Sequence, residues 1–381
     1  MRLAIDLFRH EPRARTYFAA LAQSSLGTGA AYVALLLVAY ERFESPWAIG
    51  LVLLADVLPA SLFGPLFGAA ADRWSRRGAI VLADVIRAAA FAGILLVDGF
   101  VPTLLLALVA GVGTGLFNPA SLAALPSLVS APRLPAATSV YGAVMDVGYI
   151  AGPALAAGVL ALGGAETILA LNAVTFSISA VLLARLAFGA APGGTAAPAR
   201  RASLLSEARE GMSATGRFQG LRLLLFASAV ALFFGGFFNV AELLLAKEEL
   251  GAGEVVYSIL VATYGFGFIA GSLLGGKGGS LQLLKRRYLA GGALMGAGFV
   301  ASGLAPSAAF ALAAFLVGGL GNGLLLVHER LLIQALVPDE LSGRVFGIKD
   351  SLTAWAFALA FLLGAGALAA LGTREALVLA G

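Results

Sequence analysis

Apolar residues run in long stretches along this chain, and polar residues gather in the short gaps between them. The stretches lack the roughly ten-residue alternating segments of a membrane β-barrel, so they are expected to be helices. A helix needs roughly 20 apolar residues to cross a bilayer. Apolar runs and breakers place spans near 16–40, 46–71, 78–98, 102–126, 136–163 and 166–187. A second set falls near 219–246, 254–276, 287–305, 308–330 and 344–371. The eight residues after Thr373 cannot cross, so a twelfth span is expected to begin there and to be truncated in this sequence. Asp6 and Glu11 interrupt the N-terminus, which therefore resembles no cleaved signal peptide. A short amphipathic helix on the inner membrane surface is expected instead.

Composition supports an all-α integral membrane protein. Of 381 residues, 60% are hydrophobic and 12% charged, against about 25% charged in soluble domains. Cysteine is absent, which excludes disulfides and thiolate metal sites, and two histidines, His10 and His328, are too few for a histidine-rich one. No metal and no cofactor is expected. No phosphate-cradling Gly-x-x-x-x-Gly-Lys-Ser/Thr loop occurs, so ATP is not the direct driver. No catalytic constellation stands out, and the chain is not expected to be an enzyme.

Charge distribution gives the orientation. With the N-terminus inside, 22 of 25 Lys and Arg fall on the inner side or at inner span ends, leaving Arg42, Lys247 and Arg374 outside. This bias follows the positive-inside rule and implies a multi-pass protein of the cell (inner) membrane with a cytoplasmic N-terminus. The basic residues are topogenic, so no nucleic-acid partner is expected despite the net charge of +4. Segment 188–217, with Pro192, Gly193, Gly194 and Pro198, reads as a cytoplasmic linker. It separates an N-terminal six-helix bundle (1–187) from a C-terminal one (218–381) of five full spans and a stub.

The halves look duplicated. Gly64-Pro-Leu-Phe-Gly68 resembles Gly271-Ser-Leu-Leu-Gly275 at an offset of 207. Leu108-Val-Ala-Gly-Val-Gly113-Thr-Gly115 resembles Leu316-Val-Gly-Gly-Leu-Gly321-Asn-Gly323 at 208, and Val129 and Val337 are again 208 apart. Parallel six-helix repeats imply a substrate site near the midplane between the halves.

Gly68-Ala-Ala-Ala-Asp72-Arg73-Trp-Ser-Arg76-Arg77 resembles the signature loop of the major facilitator superfamily, with Ser75 in place of its second glycine. The likeness extends over nearly the whole chain. Asn118-Pro119-Ala120 with Leu125-Pro126, and Gly343-Arg344-Val345-Phe346-Gly347, are similar to the branch containing macrolide-efflux proteins and the enterobactin exporter. The resemblance implies two pseudo-symmetric six-helix bundles. It also implies a conformational latch at Gly68, Asp72, Arg73, Arg76, Arg77, Asp84 and Arg87. Asp72 and Arg76 are four apart and Asp84 and Arg87 three apart, so each pair can meet on a helix. The alternative is that the arginines are only topogenic. Gly148, Gly152 and Pro153 in Gly148-Tyr-Ile-Ala-Gly152-Pro153 resemble the superfamily's antiporter motif, with ordinary close packing as the alternative. The arginine that many drug/proton antiporters carry early in span 4 has no counterpart in Leu104–Ala110.

Charges within spans are functional candidates because they are costly there. Asp146, Asp56, Glu242 and Glu329 are candidate proton-coupling carboxylates, with Asp146, the deepest in its span, first. A buried carboxyl holds a proton more readily than an exposed one and can exchange it for a cationic substrate. Ser24, Thr28 and Tyr32 lie at spacing four on one helical face. With Asn118, Asn239 and Tyr264 they are candidates to line a substrate cavity. The expected function is export of a small amphipathic, drug-like compound by alternating access, driven by proton antiport. The partners are that substrate, protons and the lipid bilayer, and the protein is expected to act as a monomer. The alternatives are a dedicated exporter of a metabolite such as a siderophore, and a non-transporting sensor or scaffold.

Overall fold

Proline and serine set many of the helix starts. Pro12 and Pro46 open two helices, where their fixed φ suits the first turn and their missing N–H costs nothing. Ser75, Ser280 and Ser307 accept backbone N–H bonds from Gly78, Leu283 and Phe310 at three others. The computed structural model describes residues 2–73, 75–188, 218, 220–275 and 279–381, and every regular element among them is helical. The chain divides into two compact units, Met1–Ala197 and Pro198–Gly381. From position 189 onward the expected linker at 188–217 lies outside the described residues.

Unit 1 holds α1 (Arg2–His10), α2 (Pro12–Phe43), α3 (Pro46–Arg73), α4 (Arg76–Ile94), α5 (Phe100–Ala124), α6 (Leu134–Leu160) and α7 (Ala165–Arg185). Unit 2 holds α8 (Leu221–Leu244), α9 (Glu254–Gly275), α10 (Leu281–Gly303), α11 (Ala308–Leu336), α12 (Asp339–Leu371) and α13 (Thr373–Ala380). A π-helical turn, Leu245–Glu249, continues α8.

Among the described residues, eight helices are long and apolar enough to cross a membrane, fewer than the eleven expected. The difference falls on α3, α4 and α10. Only Pro46–Ala60 of α3 counts as an apolar stretch. Helix α4 carries Arg76, Arg77, Asp84 and Arg87, and α10 carries Lys285, Arg286 and Arg287. These charges lower the mean hydropathy of helices that nevertheless pack inside their units, α4 on α5 and α7, α10 on α11.

The duplication is visible in the packing. Helices α3, α5 and α7 begin 208 residues before α9, α11 and α13. A Cβ on Gly111 would strike the carbonyl of Asp56, and one on Gly319 that of Tyr264, the equivalent position. Gly113 faces Ala83 and Arg87, and Gly321 faces Gly291 and Met295, again 208 apart. Small residues let backbones touch where no hydrophobic effect drives helices together in lipid.

An arginine clamp on helix-end carbonyls also recurs in the two units. Arg42 donates to the carbonyls of Ile94 (3.0 Å) and Val97 (2.5 Å) and to Glu166 (2.7 Å) at the start of α7. Arg374, at the position equivalent to Glu166, donates to Gly303 (3.1 Å), Ala305 (2.8 Å) and Glu249 (2.7 Å). The two clamps tie the same three helix ends with the charges exchanged. Lys247 pairs with Glu254 at 3.4 Å.

Helix α1 is amphipathic, as expected. Leu7 is buried and Phe8 packs on the unit 1 core, while Asp6, Arg9 and His10 are exposed. A hydrogen bond from Arg133 (3.0 Å) holds the Asp6 carboxyl below its ordinary range. The Ser130 hydroxyl (2.6 Å) and N–H (3.0 Å) do the same for Glu11.

Candidate functional site

Unit 1 buries a charged centre. Asp84 and Arg87, three apart on α4, form an ion pair inside the helix packing, as their spacing allows. The guanidinium lies 4.0 Å from the Phe117 ring centroid and 4.2 Å from that of Phe176. Such sandwiching suits Arg, whose flat cation is weakly hydrated and stacks on aromatic faces. Arg87 Nε has no hydrogen-bond partner. Asp56 of α3 and Tyr149 of α6 lie within electrostatic reach of Arg87.

A cavity of about 10 Å³ opens beside Arg87, lined by Ser24, Ser25, Thr28, Thr114, Asn118 and Tyr149 together with apolar Leu21, Phe117 and Met145. That is close to the least room a water molecule needs. The cavity therefore brings together Ser24, Thr28 and Asn118 from the sequence candidates, while half-buried Asp56 reaches them only through its attraction to Arg87. Tyr32 is half-buried on the same helix as Ser24, without lining this cavity. Ser25, Thr114, Tyr149 and the central place of Arg87 were missed. The signal for Arg87 was available: the span expected at 78–98 already carried Asp84 and Arg87 well inside its ends.

The other candidates separate. Asp146 is exposed on unit 1, one residue from cavity-lining Met145. Glu242 is buried on α8 and accepts a hydrogen bond from Tyr257 (3.4 Å). Asn239 is half-buried one turn before it. Tyr264 stacks on Phe238 (5.6 Å), which in turn stacks on Phe299 (4.3 Å). Phe238 and Phe299 are buried, so this face of Tyr264 is engaged in packing within unit 2. Glu329 is fully buried on α11, next to His328, whose Nδ1 donates to the Leu324 carbonyl (2.7 Å).

The latch residues divide at Ser75. Helix α3 ends at Arg73 and α4 starts at Arg76, so Asp72 and Arg76 stand on different helices and the helical spacing does not pair them. Ser75 explains the departure from the family's glycine locally, since it caps α4. The side chains of Asp72 and Arg73 and the surroundings of Gly68 lie outside the described residues. Arg76 is half-buried and Arg77 exposed. Gly148 and Gly152 are buried where α6 meets α2. A Cβ on Gly148 would meet Ser25, and one on Gly152 would meet Gly29 and Ala30. Pro153 follows inside α6.

Two duplicated helical units, with charges kept inside apolar helices, define a polytopic membrane protein of the transporter type. The family model for the Major Facilitator Superfamily matches residues 17–243, and the chain belongs to that superfamily. It is 28% identical over 371 residues to the uncharacterized MFS-type transporter YfiS of Bacillus subtilis, covering 95% of this chain and 88% of the relative. It is 24% identical over 357 residues to macrolide efflux protein A of Streptococcus pyogenes, covering 92% and 88%. The crystal structure of the nucleoside transporter NupG shares the fold, with a TM-score of 0.74 at 13% identity, over 97% of this chain and 95% of that one.

Proposed function

We propose that the protein is a secondary-active exporter of small amphipathic, drug-like compounds. It works as a monomer in the inner membrane with its N-terminus in the cytoplasm. Alternating access is driven by proton antiport, and the protein is not an enzyme. The observation that carries this proposal is the buried centre of unit 1. A purely structural bundle has little use for Arg87, Asp84 and Asp56 beside a small, partly polar cavity within apolar helices. Export rather than uptake is supported by the Gly148, Gly152 and Pro153 motif and by the macrolide-efflux relative.

Reconstituted vesicles loaded with erythromycin or ethidium test the proposal. Counterflow of either compound, and its accumulation under an imposed pH gradient, are expected. Competition between the two marks a polyspecific pump, whereas transport of one alone marks a dedicated exporter. No exchange of either would leave the sensor or scaffold alternative in place.

A further inference from the structure

The two units share a scaffold but place their charges differently, and the difference singles out Glu329. Its equivalent in unit 1, 208 residues earlier, is Ser121. The equivalent of Lys349 is Tyr141. In unit 1 these two residues satisfy each other: the Ser121 and Tyr141 hydroxyls lie 2.8 Å apart, and Tyr17 donates to the Ser121 carbonyl at 2.8 Å. That junction is neutral. In unit 2 the same junction holds a carboxyl and an ammonium.

The carboxyl is buried with little to compensate it, the Ser228 hydroxyl and the Lys349 ammonium being the favourable groups near it. Glu329 has no exposed surface, and neither of its oxygens has a hydrogen-bond partner. Lys349, which could neutralise it, is instead 3.3 Å from Asp350. Neighbours in sequence do not face each other on a helix, and Asp350 is largely in solvent, so that pair is easily exchanged. An isolated ionised carboxylate in such a place is strongly unfavourable, and a proton or a cation must compensate it.

The surroundings are of limited charge. Tyr288 comes from α10, Lys349 and Asp350 from α12, and His328 and Arg330 from α11 itself. Helix α8 supplies the Ser228 hydroxyl, held by Tyr288 at 3.0 Å, and α9 brings Gly275 against His328.

We infer that Glu329 is a proton-binding site and that Lys349 is the cation that replaces the proton. With the proton bound, Glu329 is a neutral acid and Lys349 stays with Asp350. When the proton leaves to water, Lys349 moves to the carboxylate and Asp350 is left to solvent. Charge at the buried position is balanced in both states, and the transfer of Lys349 moves α12 against α11. The inference deepens the proton-antiport proposal, rests on it, and names the proton's place.

Infrared spectra of the full chain in lipid nanodiscs test it. The wild type is expected to show a protonated-carboxyl band in neutral buffer that is lost in Glu329→Gln and retained in Glu329→Asp. In vesicles, Glu329→Gln and Lys349→Met are expected to keep erythromycin counterflow and to lose accumulation driven by a pH gradient. Asp350→Asn should keep both. Survival of the band in Glu329→Gln, or its loss in Asp146→Asn instead, overturns the assignment. If the band behaves as expected but wild-type transport ignores the pH gradient, the proton site stands and the antiport proposal falls.

Discussion

Replacing Arg42 with Gln should destabilise unit 1 far more than replacing its ion-pair partner Glu166 with Gln. Arg42 is largely buried and makes bonds of 3.0 and 2.5 Å to the carbonyls of Ile94 and Val97 at the end of α4. Hydrogen bonds to a charged group contribute about 1.5–3 kcal/mol each, and orphaned helix-end carbonyls add a desolvation cost. Glu166 is 64% exposed, so its pairing at 2.7 Å is screened by water and contributes about 0–1 kcal/mol. Arg42→Gln should therefore cost about 2–4 kcal/mol after partial compensation by the amide. Glu166→Gln should cost less than about 1 kcal/mol. Unfolding free energies of the purified protein in mixed micelles give both numbers. Unit 2 supplies an internal control, because Arg374 occupies the position equivalent to Glu166 and still reaches Ala305, the equivalent of Val97. The exchange of Arg42→Glu with Glu166→Arg should thus recover most of the loss of Arg42→Glu alone. Equal costs for the two single Gln variants, or no recovery in the exchange, would refute carbonyl capping as the dominant effect.

Arg87→Met, which copies the unit 2 equivalent Met295, should cost about 3–5 kcal/mol because Asp84 is left as an uncompensated buried charge. Adding Asp84→Asn should restore most of that stability in the same unfolding assay. Gly152→Leu should force α6 from α2, since even a Cβ there meets the backbone of Gly29 and Ala30. Loss of monodisperse protein, with Gly158→Leu tolerated because its Cβ position faces open space, is the expected result. Attachment of α1 should weaken in acid. The carboxyls of Asp6 and Glu11 are held below their ordinary values by Arg133 and Ser130. Their contribution is complete above about pH 4–5 and is lost as pH falls through the lowered values. Protease cleavage around Glu11 that rises in acid, and stays high at all pH in Arg133→Gln, is the readout.

The order and length of the helices were legible from the chain alone, and so was the duplication. The offset of 207–208 found in three weak motifs recurs, as 208, in the spacing between helix starts and between glycine contacts. The pairing of Asp84 with Arg87 was also legible, because their spacing depends on one helix only. The spacing of Asp72 and Arg76 carried no such inference, since α3 ends at Arg73 and a new helix starts at Arg76, and the Asp72 side chain lies outside the described residues. Depth along a span ranked Asp146 first among the carboxylates, yet it is Glu329 that the packing surrounds completely.

The division has a physical cause. Hydrophobic length, capping and charge bias are properties of neighbouring residues, and their free energies accumulate along one segment, so the amino-acid order alone determined the helices, the repeat and the superfamily. Which side of each helix meets another helix is decided by close packing between segments about a hundred residues apart, such as Gly148 on Ser25. Only the tertiary structure could decide that Arg87 lies between two aromatic rings, that two arginine clamps mirror each other with exchanged charge, and that Glu329 is completely buried.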